Sequence, residues 1–203
     1  MDVAESCTRL GLQIAAWVKN TDGDTYEPAG QAAIRVEDVS SQMAELQIVV
    51  PLFAPVHRRA AAEEAENRGF GRPLTLIDPT SIVASTTSFQ VGCYVNSGAN
   101  IGAAGKFGRF VFVNRSASIG HHADIDDFVS IGPGAIIAGN VRLGRGAMIA
   151  AGAIVLPEME VGEDSVVAAG AVVTRPVPPR TLVMGTPARV IRSWIPNDKN
   201  YPE

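Results

Sequence analysis

The sequence predicts a parallel β-solenoid, a prism of stacked coils preceded by a small α/β unit, on three observations. First, a large apolar residue stands at every sixth position from Ile77 through Val83, Phe89, Val95 and Ile101 to Val173, seventeen positions without a slip. Second, the residue four places after each is nearly always small or β-branched, as at Ala99, Ala117, Ala123, Ala135, Ala147, Ala153 and Ala171. Third, a period of six fits neither the 3.6 of a helix nor the simple alternation of a strand, which leaves a hexapeptide repeat.

Three hexads close one triangular coil, so residues 18 apart in sequence share a corner on successive coils. Seventeen hexads then make a little under six coils. At the usual inter-strand spacing of ~4.8 Å they stack into a prism of roughly 27 Å. Both the large residue and its small partner point inward, and the other positions line the turns and outer faces.

Residues 1–73 lack the period. Val3 to Leu12 suits a helix, Gln13 to Val18 a strand, and Lys19-Asn20-Thr21-Asp22-Gly23-Asp24 a turn. Val39 to Ala44 suits a short helix, Leu46 to Val50 a strand, Pro55 to Asn67 a charged helix stopped by Gly69, and Leu74 to Ile77 a strand entering the repeat. This order is that of a small parallel α/β unit, a truncated Rossmann-like domain that begins inside its first helix. Such units open on a strand and a glycine-rich turn that holds phosphate, so either this module has lost its nucleotide loop or the true start lies upstream. Residues 74–180 form the prism and residues 181–203 its cap. The cap is read as a strand, Thr181 to Met184, then a helix through Ile195 with Pro187 in its first turn.

Composition narrows the function. With 203 residues, a net charge of −4 and no basic block, the chain is a poor partner for nucleic acid. No apolar run reaches membrane-spanning length, and Asp2 and Glu5 at the N-terminus are unlike a signal peptide, so the expected location is cytoplasmic with no membrane partner. Cys7 and Cys93 show no metal or disulfide spacing and are read as reduced thiols.

Three histidines remain, His57, His121 and His122. His57, at the start of a charged helix, reads as a surface residue. His121 and His122 fall at a corner and face out. Histidine titrates near neutral pH and serves as a general base without a large pKa shift. One coil on from His121 is Gly139, whose bare N–H is placed to stabilise an oxyanion. Ala150-Ala151-Gly152 and Ala168-Ala169-Gly170 also stack, with Gly134, Gly152 and Gly170 in one column. That column suits turns with φ > 0, and it also makes a smooth floor for a long flexible chain such as pantetheine, read here as lying above His121.

The segment Ser118-Ile119-Gly120-His121-His122-Ala123-Asp124-Ile125-Asp126-Asp127-Phe128, followed by Pro133-Gly134-Ala135 and Ala138-Gly139-Asn140-Val141, resembles the sialic acid O-acetyltransferase family. That family includes bacterial nucleotide-sugar N-acetyltransferases. Gly185-Thr186-Pro187-Ala188-Arg189 resembles the ending of many hexapeptide acyltransferases. The resemblance implies a left-handed parallel β-helix, a homotrimer, and acetyl-CoA as co-substrate in the groove between neighbouring prisms, with no metal. It implies an acetyltransferase that acts on a sugar or nucleotide-sugar amine or hydroxyl by direct transfer, with residues 1–73 binding the acceptor.

His121 matches the family's general base and Gly139 the oxyanion amide. Gly139, Ala151, Gly152, Ala169, Gly170, Gly185, Pro187 and Arg189 are the expected acetyl-CoA contacts. Where the family carries an acid after the base this chain has His122, so His122, Asp124 or Asp126 is expected to support His121. Ser130 stands where some relatives carry a second histidine. Two other readings are a non-catalytic trimeric scaffold and a zinc carbonic anhydrase. The second needs three converging histidines, which His57 in the other domain makes implausible.

Overall fold

The computed structural model describes residues 2–19 and 33–194. Seventeen two-residue strands, β3 (Leu76–Ile77) to β19 (Val172–Val173), each end on one of the predicted large apolar residues. Every strand pairs in parallel with the one a coil away. Ser118 and Ile119 thus lie opposite Asn100 and Ile101 below and Ile136 and Ile137 above. The result is a left-handed β-helix with three sheets. Ile101, Ile119, Ile137 and Val155 pack with Ala117, Ala135, Ala153 and Ala171 in one buried axial core. Each such aliphatic side chain contributes about 1.5–3 kcal/mol of burial.

The three outer faces differ in chemistry. One carries Leu76, Tyr94, Phe112 and Ser130, all buried beneath the N-terminal unit. The next carries Ile82, Asn100, Ser118, Ile136, Ile154 and Val172 and lies open, with Ile82 68% and Ile136 44% exposed. The third presents Ser88, Lys106, Asp124, Arg142 and Glu160 to solvent. They are called below the covered, apolar and charged faces.

In the N-terminal unit, helices α1 (Asp2–Arg9) and α2 (Pro55–Asn67) form as expected. The strands are shorter than the sequence suggests. Gln13 to Val18 reduces to β1 (Val18–Lys19), paired in parallel with β2 (Ile34–Arg35), and Leu46 to Val50 reduces to a bridge between Ile48 and Pro73. Between these two pairs lies an apolar cavity of about 480 Å³, lined by Ile14, Trp17, Ile48 and Val50 among others. Among the described residues neither run pairs beyond these rungs. The helix expected over Val39 to Ala44 is instead two 3₁₀ turns, Val36–Asp38 and Met43–Glu45. Of the Lys19 to Asp24 turn, all but Lys19 lies outside the described residues.

Two polar clusters fasten this unit to the covered face. Asp78, fully buried, accepts hydrogen bonds from Ser6 (2.6 Å), Thr80 (2.6 Å) and Arg9 (2.7 Å). Burial would raise its carboxyl, but these bonds outweigh it and hold the group well below the usual carboxylate range. On α2, Arg58 reaches across the interface to backbone carbonyls of the prism.

The C-terminal helix is a correction. Arg189–Ser193 is a strand, β21, antiparallel to β20 (Thr181–Met184), which itself extends the covered sheet from Val166–Val167. β-branched Val190 and Ile191 suit an extended strand, and the hairpin gives β20 a partner on its open edge. Gly185, at φ +97°, turns the chain between the two strands. Ile195, the expected helix end, lies outside the described residues.

Candidate active site

His121 and His122 lie on the turn between β10 (Ser118–Ile119) and β11 (Asp124–Ile125), at the edge shared by the apolar and charged faces. Gly139 sits one coil above, fixed by the ladder: Gly120 N–H donates to Ile137 O at 2.7 Å and Asn140 N–H to His121 O at 2.9 Å. A Cβ on Gly139 would lie 2.7 Å from His121 Nε2, so only glycine leaves the ring its place. A Cβ on Gly120 would in turn strike the Gly139 nitrogen at 2.6 Å. Among the described residues the Gly139 N–H has no acceptor. An unshared amide and an imidazole nitrogen therefore stand side by side on a half-open corner.

His121 Nδ1 lies 3.0 Å from His122 Nδ1, with the rings nearly perpendicular at 85°. Neither aspartate expected to support the base is hydrogen-bonded to it. Asp126 Oδ1 accepts from Asp127 N–H within its own turn. Asp124 points out from the charged face and lines a groove of about 220 Å³ with Lys106, His122, Asn140 and Arg142. Ser130 is also elsewhere than expected: fully buried on the covered face, it accepts from Arg58 and donates to Phe53 O. His57 is exposed on α2. No group of three His, Cys, Asp or Glu among the described residues is arranged to hold a metal ion.

The cysteines take no part. Burial pushes the Cys93 thiol up to about 12, and burial also raises Cys7, so neither supplies a thiolate near neutral pH.

Of the expected acetyl-CoA contacts Gly139 lies against His121, while the alanine and glycine pairs further along form a line on a different corner. Ala151, Gly152, Ala169 and Gly170 are exposed along the edge shared by the covered and apolar faces. The hairpin turn continues that line, with Thr186 Oγ1 donating to Gly170 O and Val172 N–H to Gly185 O. The column thus does not lie above His121; within one chain the width of the apolar face separates them. Nor does glycine serve only the backbone there. The equivalent turn position holds Ala104, His122, Asn140 and Glu158 at φ 55–63° on the His121 corner, so L-residues are accommodated. At Gly134, Gly152 and Gly170 a Cβ would meet nothing within 4 Å.

Two elements of the molecule went unread in the sequence. Arg58 looks like one more charge on a charged helix, and nothing local marks it as an anchor. Lys106, Asp124 and Arg142 are spaced by 18, and that spacing does place them on neighbouring rungs of one face.

The model of the bacterial transferase hexapeptide (six repeats) matches residues 122–157. A mutant perosamine N-acetyltransferase from Caulobacter crescentus, in complex with CoA and GDP-perosamine, superposes with a TM-score of 0.86 at 25% identity, over 95% of this chain and 91% of that one. The acetyltransferase domain of PglB from Neisseria gonorrhoeae, in complex with acetyl coenzyme A, gives 0.82 at 29% identity, over 94% and 93%. A search of curated proteins finds no match by sequence.

The fold and its hexapeptide turns define a left-handed β-helix acyltransferase. Within that class the chain is similar, over nearly its whole length, to sugar N-acetyltransferases, and its residues 122–157 match the hexapeptide transferase repeat.

Proposed function

We propose that the protein transfers the acetyl group of acetyl-CoA directly to an amine or hydroxyl of a sugar or nucleotide-sugar, with His121 as general base. The observation that carries this is the unshared Gly139 amide one coil above His121, whose Nε2 occupies the space that a side chain at Gly139 would need. Nε2 takes the proton from the acceptor as its nitrogen or oxygen attacks the thioester carbonyl. The Gly139 N–H holds the oxyanion. The tetrahedral oxyanion then collapses, breaking the carbon–sulfur bond, and the imidazolium returns its proton to the departing sulfur. The CoA and GDP-perosamine held by the perosamine N-acetyltransferase support both substrate classes.

We infer a homotrimer as the working assembly, and the character of the faces supports it. The covered face is used by the chain's own N-terminal unit and the charged face is solvated, which leaves the apolar face to pack on further copies. Closed about a threefold axis on that face, the glycine column of one subunit meets the His121 corner of the next. Acetyl-CoA between the two prisms then reaches a base that no single chain offers it.

Gly152→Asn tests the groove, since asparagine tolerates positive φ and the space beyond is open. The expected result is a KM for acetyl-CoA raised by about 10-fold or more, the scale of binding free energy that 1.4 kcal/mol represents, with little change in Tm. An unchanged KM would remove the column from the CoA site. The function itself is tested by CoA release against a panel of amino-sugar nucleotides and free sugars. No release with any acceptor, together with no thermal shift from CoA, would favour a non-catalytic trimeric scaffold.

A further inference from the structure

We propose that His122 is a positioning residue that holds His121 in the tautomer a general base requires, using a neutral imidazole nitrogen as the acceptor. The proposal rests on the role given to His121 above. The nitrogen facing Gly139 is Nε2, so in the active state Nε2 is bare and the ring proton is on Nδ1. Which nitrogen of an imidazole carries the proton is set by the partner of the other. Here that partner is His122 Nδ1, at 3.0 Å. Two neutral rings this close share one proton between the facing nitrogens. With His121 as donor, His122 accepts at Nδ1 and carries its own proton on Nε2.

The surroundings agree with that direction. His122 sits at φ +55°, with its ring edge-on to the His121 ring. It lines the groove that also holds Asp124, whose carboxylate makes no ion pair with Lys106, Arg142 or His122. Asp126 is turned to its own turn's backbone and does not compete for His121. His122 is thus the one side chain hydrogen-bonded to His121 among the described residues.

The tautomers are read by long-range ¹H–¹⁵N correlation spectra of the purified protein, independently of activity. The expected spectrum shows His121 with a protonated Nδ1 and bare Nε2, and His122 with the reverse. His122→Phe keeps a ring but no acceptor. It should switch His121 to the Nε2–H form and lower kcat by roughly 10–100-fold, part of the general-base share, with KM for acetyl-CoA unchanged. His122→Asn places an amide oxygen near the lost Nδ1 and tolerates positive φ, so it should recover most of kcat and the Nδ1–H form. A wild-type His121 protonated on Nε2, wild-type kcat in His122→Phe, or equal losses in the two variants would each overturn the proposal. Absence of any acetyl transfer by the wild type would count against the proposed function, while the spectrum would still decide the tautomer.

Discussion

His121→Ala is expected to lower turnover by about 10²–10⁴-fold, the usual share of general-base catalysis. The side chain is exposed at a corner and holds nothing in the core, so Tm should stay near the wild-type value. KM for acetyl-CoA should also hold, because a base that acts only in the transition state leaves ground-state binding in place. Gly139→Ala provides an independent route to the same loss. Its added methyl would lie 2.7 Å from Nε2 and 2.8 Å from Cε1, so the ring must swing out of line to admit it. Single-turnover measurement of CoA release, with thermal unfolding as control, separates these effects. A variant lacking His121 that turns over at the wild-type rate would remove the base from the site, whatever the acceptor.

The prism was legible because a solenoid repeats its environment. Each hexad meets only its neighbours a coil away, so local spacing and burial carry the same information, and Ile119 could be placed on Ile101 and Ile137 by counting alone. The same counting put Gly139 on His121. It also bore on the Gly152 column: 121 plus 12 is 133, two sides of the triangle further on, which is the edge where Gly134 lies. Elements that depend on distant partners were harder to read. Arg189–Ser193 looks helical until β20 is set beside it. Gln13 to Val18 looks like a long strand, yet among the described residues only its end pairs, Val18 and Lys19 with Ile34 and Arg35. The contact between the two histidines depends on χ angles at a corner of positive φ, which spacing does not encode.

Arg58→Met is expected to cost on the order of 3–5 kcal/mol and to loosen the N-terminal unit while leaving the prism folded. Arg58 is 1% exposed, and no carboxylate pairs with it among the described residues. Burial pushes its pKa down to about 9, so it is still charged at neutral pH. Its charge is met by oxygen dipoles: the carbonyls of Leu52 and Phe53 beside α2, those of Phe110, Phe128 and Val129 on the prism, and the Ser130 hydroxyl. The guanidinium also lies 5.8 Å over the Phe112 ring. Methionine fills much of the volume and leaves these acceptors unpaired. Lysine, with three donors on one nitrogen, cannot span both sides of the interface, so Arg58→Lys should also be destabilised. Hydrogen exchange resolves where the loss falls: α2 amides should exchange at least tenfold faster, while those of Ile119, Ile137 and Val155 in the axial ladder keep their protection. Uniform loss of protection along the prism would show instead that Arg58 supports the whole molecule. A Tm within a degree or two of wild type would show that water replaces the guanidinium at little cost.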